Sequence, residues 1–381
     1  MPLSLLHNAR QTLQRFAPDF AKLLTELPFE QREAADSPVV DWFKHTGPVA
    51  LLVPKAGGGL GASACEALQV QLALGALSPS LAVASTMHQF SVASLVAVAA
   101  RGAGAEGLLL SAIAKQRLLL ASGFAEGVPG GGILDAGMEA VQLADGVRLS
   151  GSKQPCSLSN SMDLLTASYS RTSEDGEELM IALIPASAPG ISRHPFWGNS
   201  ALAAAQSQEL RLEDVYVSDK MIFSAGLKSQ LGDVQTIGFI WFELLISASY
   251  LGACMGLVER AIDERRWSDQ QRVQLACQLQ LCLSALEGLA HEVEHLQCDA
   301  DDLLARLLLT RYGIEQQLAS ASDLAHQMLG GLSFIRSNQG CDWLASTRGL
   351  QFHPPGRFSM TANLDRYLQG ATFSIANGVT P

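Results

Sequence analysis

A chain of 381 residues, 48% apolar and 17% charged, has enough apolar side chain for a large core and is not a disordered segment. Its formal net charge of −11 excludes a basic footprint for DNA or RNA and is what solubility asks for. Seven scattered cysteines without a C-x-x-C pair suggest neither a zinc site nor a redox dithiol; free thiols in a reducing, cytoplasmic compartment are the expectation.

The first ten residues lack the basic and apolar regions of a signal peptide. From Gln11 onward, Leu13, Phe16, Phe20, Leu23 and Leu24 recur at helical spacing. Residues 53–61 are a glycine-rich break without the Lys-Ser/Thr of a P-loop, and read as a connector. Residues 63–77 and 80–101 predict two apolar helices, and 108–120 a third, completing a helical N-terminal domain over 1–120. Over 121–226 short apolar runs alternate with glycine, proline and polar turns, the pattern of a small antiparallel β domain. Its acidic stretch at 172–178 predicts a solvated hairpin tip. Over 227–381 long helical patterns at 236–266, 271–296 and 301–330, with a shorter one at 337–345, predict a helix bundle. Residues 237–258 are long enough to span a bilayer, but Glu243, Ser247, Ser249 and Gly252 favour a buried bundle helix, so no membrane span is expected.

Four motifs stand in a telling order. Glu126 with Gly130, Gly131 and Gly132 forms a glycine-rich acidic loop. Gly151-Ser152-Lys153 leads into Ser157 and Ser159, and Asp214-Val215-Tyr216-Val217 closes the β region. Gln327-Met328-Leu329-Gly330-Gly331 follows in the bundle. In this order they resemble the acyl-CoA dehydrogenase family of flavoproteins, over nearly the whole chain. The resemblance implies an α+β fold with a helical N-terminal domain, an antiparallel β middle domain and a C-terminal helix bundle. It implies FAD held between the β domain and the bundle, and a homodimer or homotetramer built through the bundle. Glu126, Gly130, Gly131, Gly132, Ser157, Ser159, Gln327, Gly330 and Gly331 are the flavin contacts it implies. The family's Arg-x-x-Phe-Gly motif is replaced by Arg265-Arg266-Trp267-Ser268, where Arg266 remains a candidate for a phosphate. Pro155-Cys156 stands where a Trp is common after Gly-x-Lys.

The implied reaction oxidises the CH–CH group of an acyl thioester, carried by coenzyme A or a carrier protein, and leaves the electron acceptor open. A carboxylate takes the α-proton. The usual glutamate is replaced by Gln369, before Gly370-Ala371-Thr372, and a neutral amide cannot accept that proton. Asp365, four residues earlier, shares its helical face. Some relatives carry the base on the helix that opens the bundle, at a position that spacing from Gly252 assigns to Phe242. Glu243 follows it, turned by about 100°. Glu243 reads either as a catalytic base whose pKa burial raises or as a buried, paired core residue. His88, on an apolar helix, reads either as a satisfied core histidine or as a flavin or substrate contact. The alternative reading is a flavin monooxygenase of the same fold. It needs no α-proton base and would use His88, Ser157, Ser159 and His353 as hydrogen-bond donors. A third is a non-catalytic member that supports a partner.

Overall fold

The computed structural model describes residues 4–102, 104–128, 131–228, 230–263, 268–295 and 299–375. Among the described residues the chain opens with the α-helices α1 (His7–Phe16), α2 (Pro18–Glu26), α3 (Phe29–Glu33), α4 (Val39–Thr46), α5 (Ala64–Leu77), α6 (Pro79–Ala99) and α7 (Gly104–Gln116). Ser63 starts α5 with a capping box to Glu66, which satisfies first-turn N–H groups that have no partner inside the helix. Ser78 caps α6, with Pro79 at the first helical position, where a missing N–H costs nothing.

The β region holds two sheets. One runs β1 (Leu120–Gly123), β4 (Leu164–Ser173), β5 (Gly176–Pro185), β8 (Ile222–Leu227) and β9 (Gln230–Leu231) in that spatial order. The other runs β2 (Glu139–Gln142), β3 (Gly146–Cys156), β7 (Gln208–Ser218) and β6 (Ile191–His194). Among the described residues every pairing is antiparallel except β1 with β4, which is parallel. The acidic segment forms the exposed turn between β4 and β5. The α-helices that follow among the described residues are α8 (Asp233–Asp263), α9 (Asp269–His295), α10 (Ala300–Arg336), α11 (Gln339–Thr347) and α12 (Arg357–Leu368).

Three segments differ from expectation. The third predicted helix ends at Gln116, because Leu120–Gly123 pairs as a strand with β4. The helix expected to stop at Gly330 continues to Arg336, with Gly330 itself non-helical at φ 77°, so a kink replaces a terminus. Residues 351–360, whose two prolines and glycine read as a rigid loop, enter α12 at Arg357.

The centre of the molecule is α8. Its apolar length exists because α5, α6, α9 and α10 pack around it. By length and composition α6, α8 and α9 could each cross a membrane, yet 89% of the most apolar window of α8 is buried within this fold. Glycines set the closest helix contact. A Cβ on Gly75 would lie 2.0 Å from the Ser249 carbonyl oxygen, and one on Gly252 would lie 2.2 Å from that of Leu72, so any side chain would force α5 and α8 apart.

Candidate functional site

Three bodies meet around one cavity of about 670 Å³. From the helical side α6 contributes Met87, Phe90, Ser91 and Ser94. From the sheets and the loops beside them come Ser122, Phe124, Gln154, Pro155, Ser157, Thr166 and Ser207. Helix α8 contributes Gly238, Phe239, Phe242 and Tyr250, and the segment after α11 contributes Gly349, Phe352, His353 and Pro354. The described lining is apolar, with hydroxyls, amides, one phenol and one imidazole, and contains no Asp, Glu, Lys or Arg side chain. A chamber of this size and composition suits a ring system and a small organic molecule, not an ion.

The imidazole is the polar centre of the chamber. His353 Nε2 lies 2.9 Å from the Tyr250 hydroxyl. Phe242 meets the imidazole edge-on, with ring centroids 6.0 Å apart. Burial pushes the His353 pKa down to about 3, and the Arg311 charge adds to the effect, so the ring is neutral at physiological pH. Burial likewise pushes the Tyr250 hydroxyl above the ordinary phenol range. Either partner of this neutral pair can donate, so a proton can pass along it without a lasting charge. Gly349 lets the backbone sit against the phenol: a Cβ there would lie 2.4 Å from the Tyr250 oxygen.

Behind the chamber lies a charged, fully buried anchor. Arg311 and Glu243 are both 0% exposed. Arg311 Nη1 donates to the two carboxylate oxygens of Glu243 at 3.0 and 2.8 Å, and Nε donates to Glu315 at 3.2 Å. Its Nη2 donates to the carbonyls of Leu350, at 2.9 Å, and of His353, at 2.5 Å. Next to it, Tyr312 donates to the Pro355 carbonyl at 2.8 Å. Two neighbouring residues of α10 thus hold the backbone that presents His353. Burial pushes the Glu243 carboxyl up and Arg311 pulls it back; the two carboxylate bonds to a permanently charged guanidinium make the pair ionic.

The structure distributes the predicted residues widely. Glu243 points into the α8–α10 interface and its neighbour Phe242 into the chamber, as the 100° turn between successive helical residues requires. The position that would carry a base therefore holds a phenyl ring. Asp365 and Gln369 do meet, Gln369 Nε2 donating to Asp365 at 2.8 Å, but at the exposed end of α12 and not in the chamber lining. His88 is a satisfied core histidine. The Leu120 N–H donates to its Nδ1 at 3.1 Å, so Nε2 carries the proton and donates to the Val49 carbonyl at 2.9 Å. Burial pushes its pKa down to about 4.

Among the candidate flavin contacts, Ser157 lines the chamber, its hydroxyl 2.9 Å from that of Ser207. Ser159 is buried and donates to the Gln206 carbonyl. Glu126 accepts from the buried Lys153 amine at 2.6 Å and from the Gly137 N–H at 2.8 Å. It thereby pins the loop whose neighbours Ala125 and Gly127 line the chamber. Gly131 and Gly132 are exposed, as are Gln327 and Gly331, and none of them, nor Gly330, is part of the lining. Gly130, Arg265 and Arg266 lie outside the described residues. Sequence reasoning missed Tyr250, Gln154 and Arg311. The signal for Arg311 was present, as an arginine in the apolar face of one bundle helix answering the glutamate in another.

No family model matches the chain. The sequence is 43% identical over 376 residues to isobutylamine N-hydroxylase of Streptomyces viridifaciens, covering 97% of this chain and 99% of the relative. Solved structures at low identity share the fold, among them the following two. KijD3 in complex with FMN and dTDP-3-amino-2,3,6-trideoxy-4-keto-3-methyl-D-glucose aligns with a TM-score of 0.84 at 15% identity, over 97% of this chain and 96% of that one. FMN-bound TdsC from Paenibacillus sp. A11-2 aligns with a TM-score of 0.82 at 17% identity, over 97% and 100% of the two chains.

Proposed function

Because the chain belongs to the family of isobutylamine N-hydroxylase, we propose that it hydroxylates the nitrogen of a small, neutral primary amine, with a flavin as cofactor. The observation that carries this reading is the neutrality of the chamber. Oxidation of an acyl thioester needs a base at the α-carbon, and the described lining offers no carboxylate, with Phe242 at the expected place. The alternative reading, a monooxygenase on the dehydrogenase fold, replaces acyl-thioester oxidation and removes the need for a coenzyme A or carrier-protein partner.

The residues fit a flavin ring. Gln154, Ser157, Ser122 and Thr166 offer hydrogen-bonding groups on the sheet side, around apolar faces that include Phe124 and Pro155. Gly127, at φ 67°, brings its backbone against the Gln154 side chain, where a Cβ would lie 2.8 Å away. FMN is named with the two solved structures, whereas the sequence resemblance implies FAD; the ring they share is what the chamber accommodates. A bound reduced flavin supplies the two electrons for cleavage of O2, so that one oxygen atom goes to the amine nitrogen and the other leaves as water.

The chain's own residues do the rest. The apolar walls admit an amine as its free base and penalise the ammonium ion, which has no counter-charge there. Only the free base has the lone pair that attacks an electrophilic oxygen. His353 and Tyr250 take up and return the proton that leaves the amine nitrogen, at Nε2 and the phenol oxygen. Phe239, Phe242 and Phe90 exclude water. A homo-oligomer belongs to the reading too, supported by the exposed Leu281 on α9 and Phe334 and Ile335 on α10. Light scattering at micromolar concentration checks it.

The decisive experiment supplies reduced flavin and isotopically heavy O2 together with primary alkylamines. One heavy oxygen atom in an alkylhydroxylamine is the expected product. No label in any amine, together with anaerobic bleaching of the flavin by an acyl thioester, reinstates the dehydrogenase.

A further inference from the structure

We propose that Cys65, His291 and Glu294 form a binding site for a thiophilic dication of the zinc class, with water completing the coordination. The site joins α5 to α9, is separate from the chamber, and does not depend on the amine-hydroxylase reading.

The fold builds it from two helices. His291 and Glu294 stand three residues apart on α9, so both project from one face. Cys65 lies in the first turn of α5 and is half-buried, opposite that face. One donor atom from each residue falls within 4.8 Å of the others. The Cys65 sulfur and the His291 Nδ1 are 3.4 Å apart. A tetrahedral zinc ion with ordinary metal–sulfur and metal–nitrogen bonds needs its sulfur and nitrogen ligands about 3.5 Å apart. Glu294 accepts the Cys65 N–H at 2.9 Å and also bonds the Ser63 and Cys65 side chains, so its carboxylate already faces the sulfur. Thiolate, imidazole and carboxylate with one open position is a zinc-type donor set.

The surrounding field has the right sign. Glu66 is paired with Arg15, at 2.6 Å. Among the described residues neither Glu287 nor Glu294 has an arginine or lysine partner, and Glu287 accepts only the neutral Gln69 amide, at 2.9 Å. A dication neutralises that excess. Metal binding breaks the S–H bond, forms the metal–sulfur bond and releases the proton to solvent, while His291 ligates through Nδ1 with its proton on Nε2. The competing account is a plain helix contact, with S–H donating to Nδ1 and Glu294 capping α5.

The test uses the full chain, stripped with a chelator and titrated with Co2+. The site gives an equimolar thiolate-to-cobalt charge-transfer band with the intense visible bands of four-coordinate Co2+, all displaced by Zn2+. Zn2+ then raises the unfolding temperature of wild type. Cys65→Ser loses the band and the thermal shift. His291→Ala weakens binding at least about tenfold. Cys277→Ser, at an exposed thiol elsewhere on α9, leaves both unchanged. A wild type without the band, or a band that survives in Cys65→Ser, overturns the site. If Cys65→Ser does not fold by circular dichroism, His291→Ala decides alone, and unchanged affinity there overturns it.

Discussion

The two faces of α8 are built on opposite rules. One face looks into the chamber with Gly238, Phe239, Phe242 and Tyr250, and carries no charge. The other, one residue on, carries Glu243 into a dry interface and binds it to Arg311 with two hydrogen bonds. A buried ion pair is a poor source of net stability, because desolvation offsets its Coulomb attraction. Its value here is geometric. The remaining donors of Arg311 hold the carbonyls of Leu350 and His353, so charge is kept behind the chamber wall while a neutral imidazole is fixed in front of it.

The severest way to break this division is to remove the cation. Arg311→Met strands Glu243 in the core and should cost about 3–5 kcal/mol of stability, read as a lowered denaturant midpoint. Adding Glu243→Leu should recover most of that loss, since apolar replacement of a buried pair is often neutral. Hydroxylation should not recover with it, because the two loop carbonyls still lack their donor. If the double variant regains full activity, Arg311 has no part in placing His353.

On the chamber face, His353→Ala should lower kcat by about 10²–10⁴, the usual range for a proton-transferring group. Flavin binding, read by fluorescence quenching, should persist. Tyr250→Phe should cost less, about tenfold, since the imidazole stays in place. An unchanged kcat in His353→Ala would move proton transfer to Ser157 or to solvent.

Acid sharpens the comparison at the level of stability. The folded pKa values of His88 and His353 are depressed, to about 4 and about 3. The unfolded chain therefore binds protons first. Stability is fully present above about pH 6.5, the unfolded histidine value, and falls as pH drops toward 4. Each histidine should account for a loss on the order of 3 kcal/mol by pH 4. Denaturant midpoints measured from pH 7 to 4 test this, with His353→Gln flattening the decline.

The smallest effect concerns turnover at ordinary pH. Since His353 stays neutral from about pH 3 upward, the pH profile should report the substrate. For an alkylamine with a pKa near that of lysine, about 10.4, kcat/KM should rise about tenfold per unit from pH 7 to 9. A flat profile would mean that the ammonium form is bound, against the neutral character of the chamber.

The relation of Phe242 to Glu243 was already visible in the chain, because a helix turns a fixed angle per residue. The loop bearing His353 was visible only as a proline-rich segment. Nothing local indicated that α10 would hold it or that Tyr250 would meet its ring, because those contacts join residues 42 and 103 positions apart. Glu126 reads as a cofactor contact in the glycine loop, whereas its oxygens serve Lys153 and Gly137. The cysteines look unrelated along the chain because Cys65 meets His291 from 226 residues away.

By itself the sequence determined the element types, the helical–β–helical order and the apolar centre in α8, since these follow from the repeat of apolar residues at helical or strand spacing and from local capping and turn chemistry. Tertiary structure alone decided what each buried polar group would face. Periodicity specifies that a side chain points inward, but its partner is chosen where helices and sheets pack. There Glu243 became a counter-ion, His88 a core histidine and His353 the polar centre of a neutral chamber.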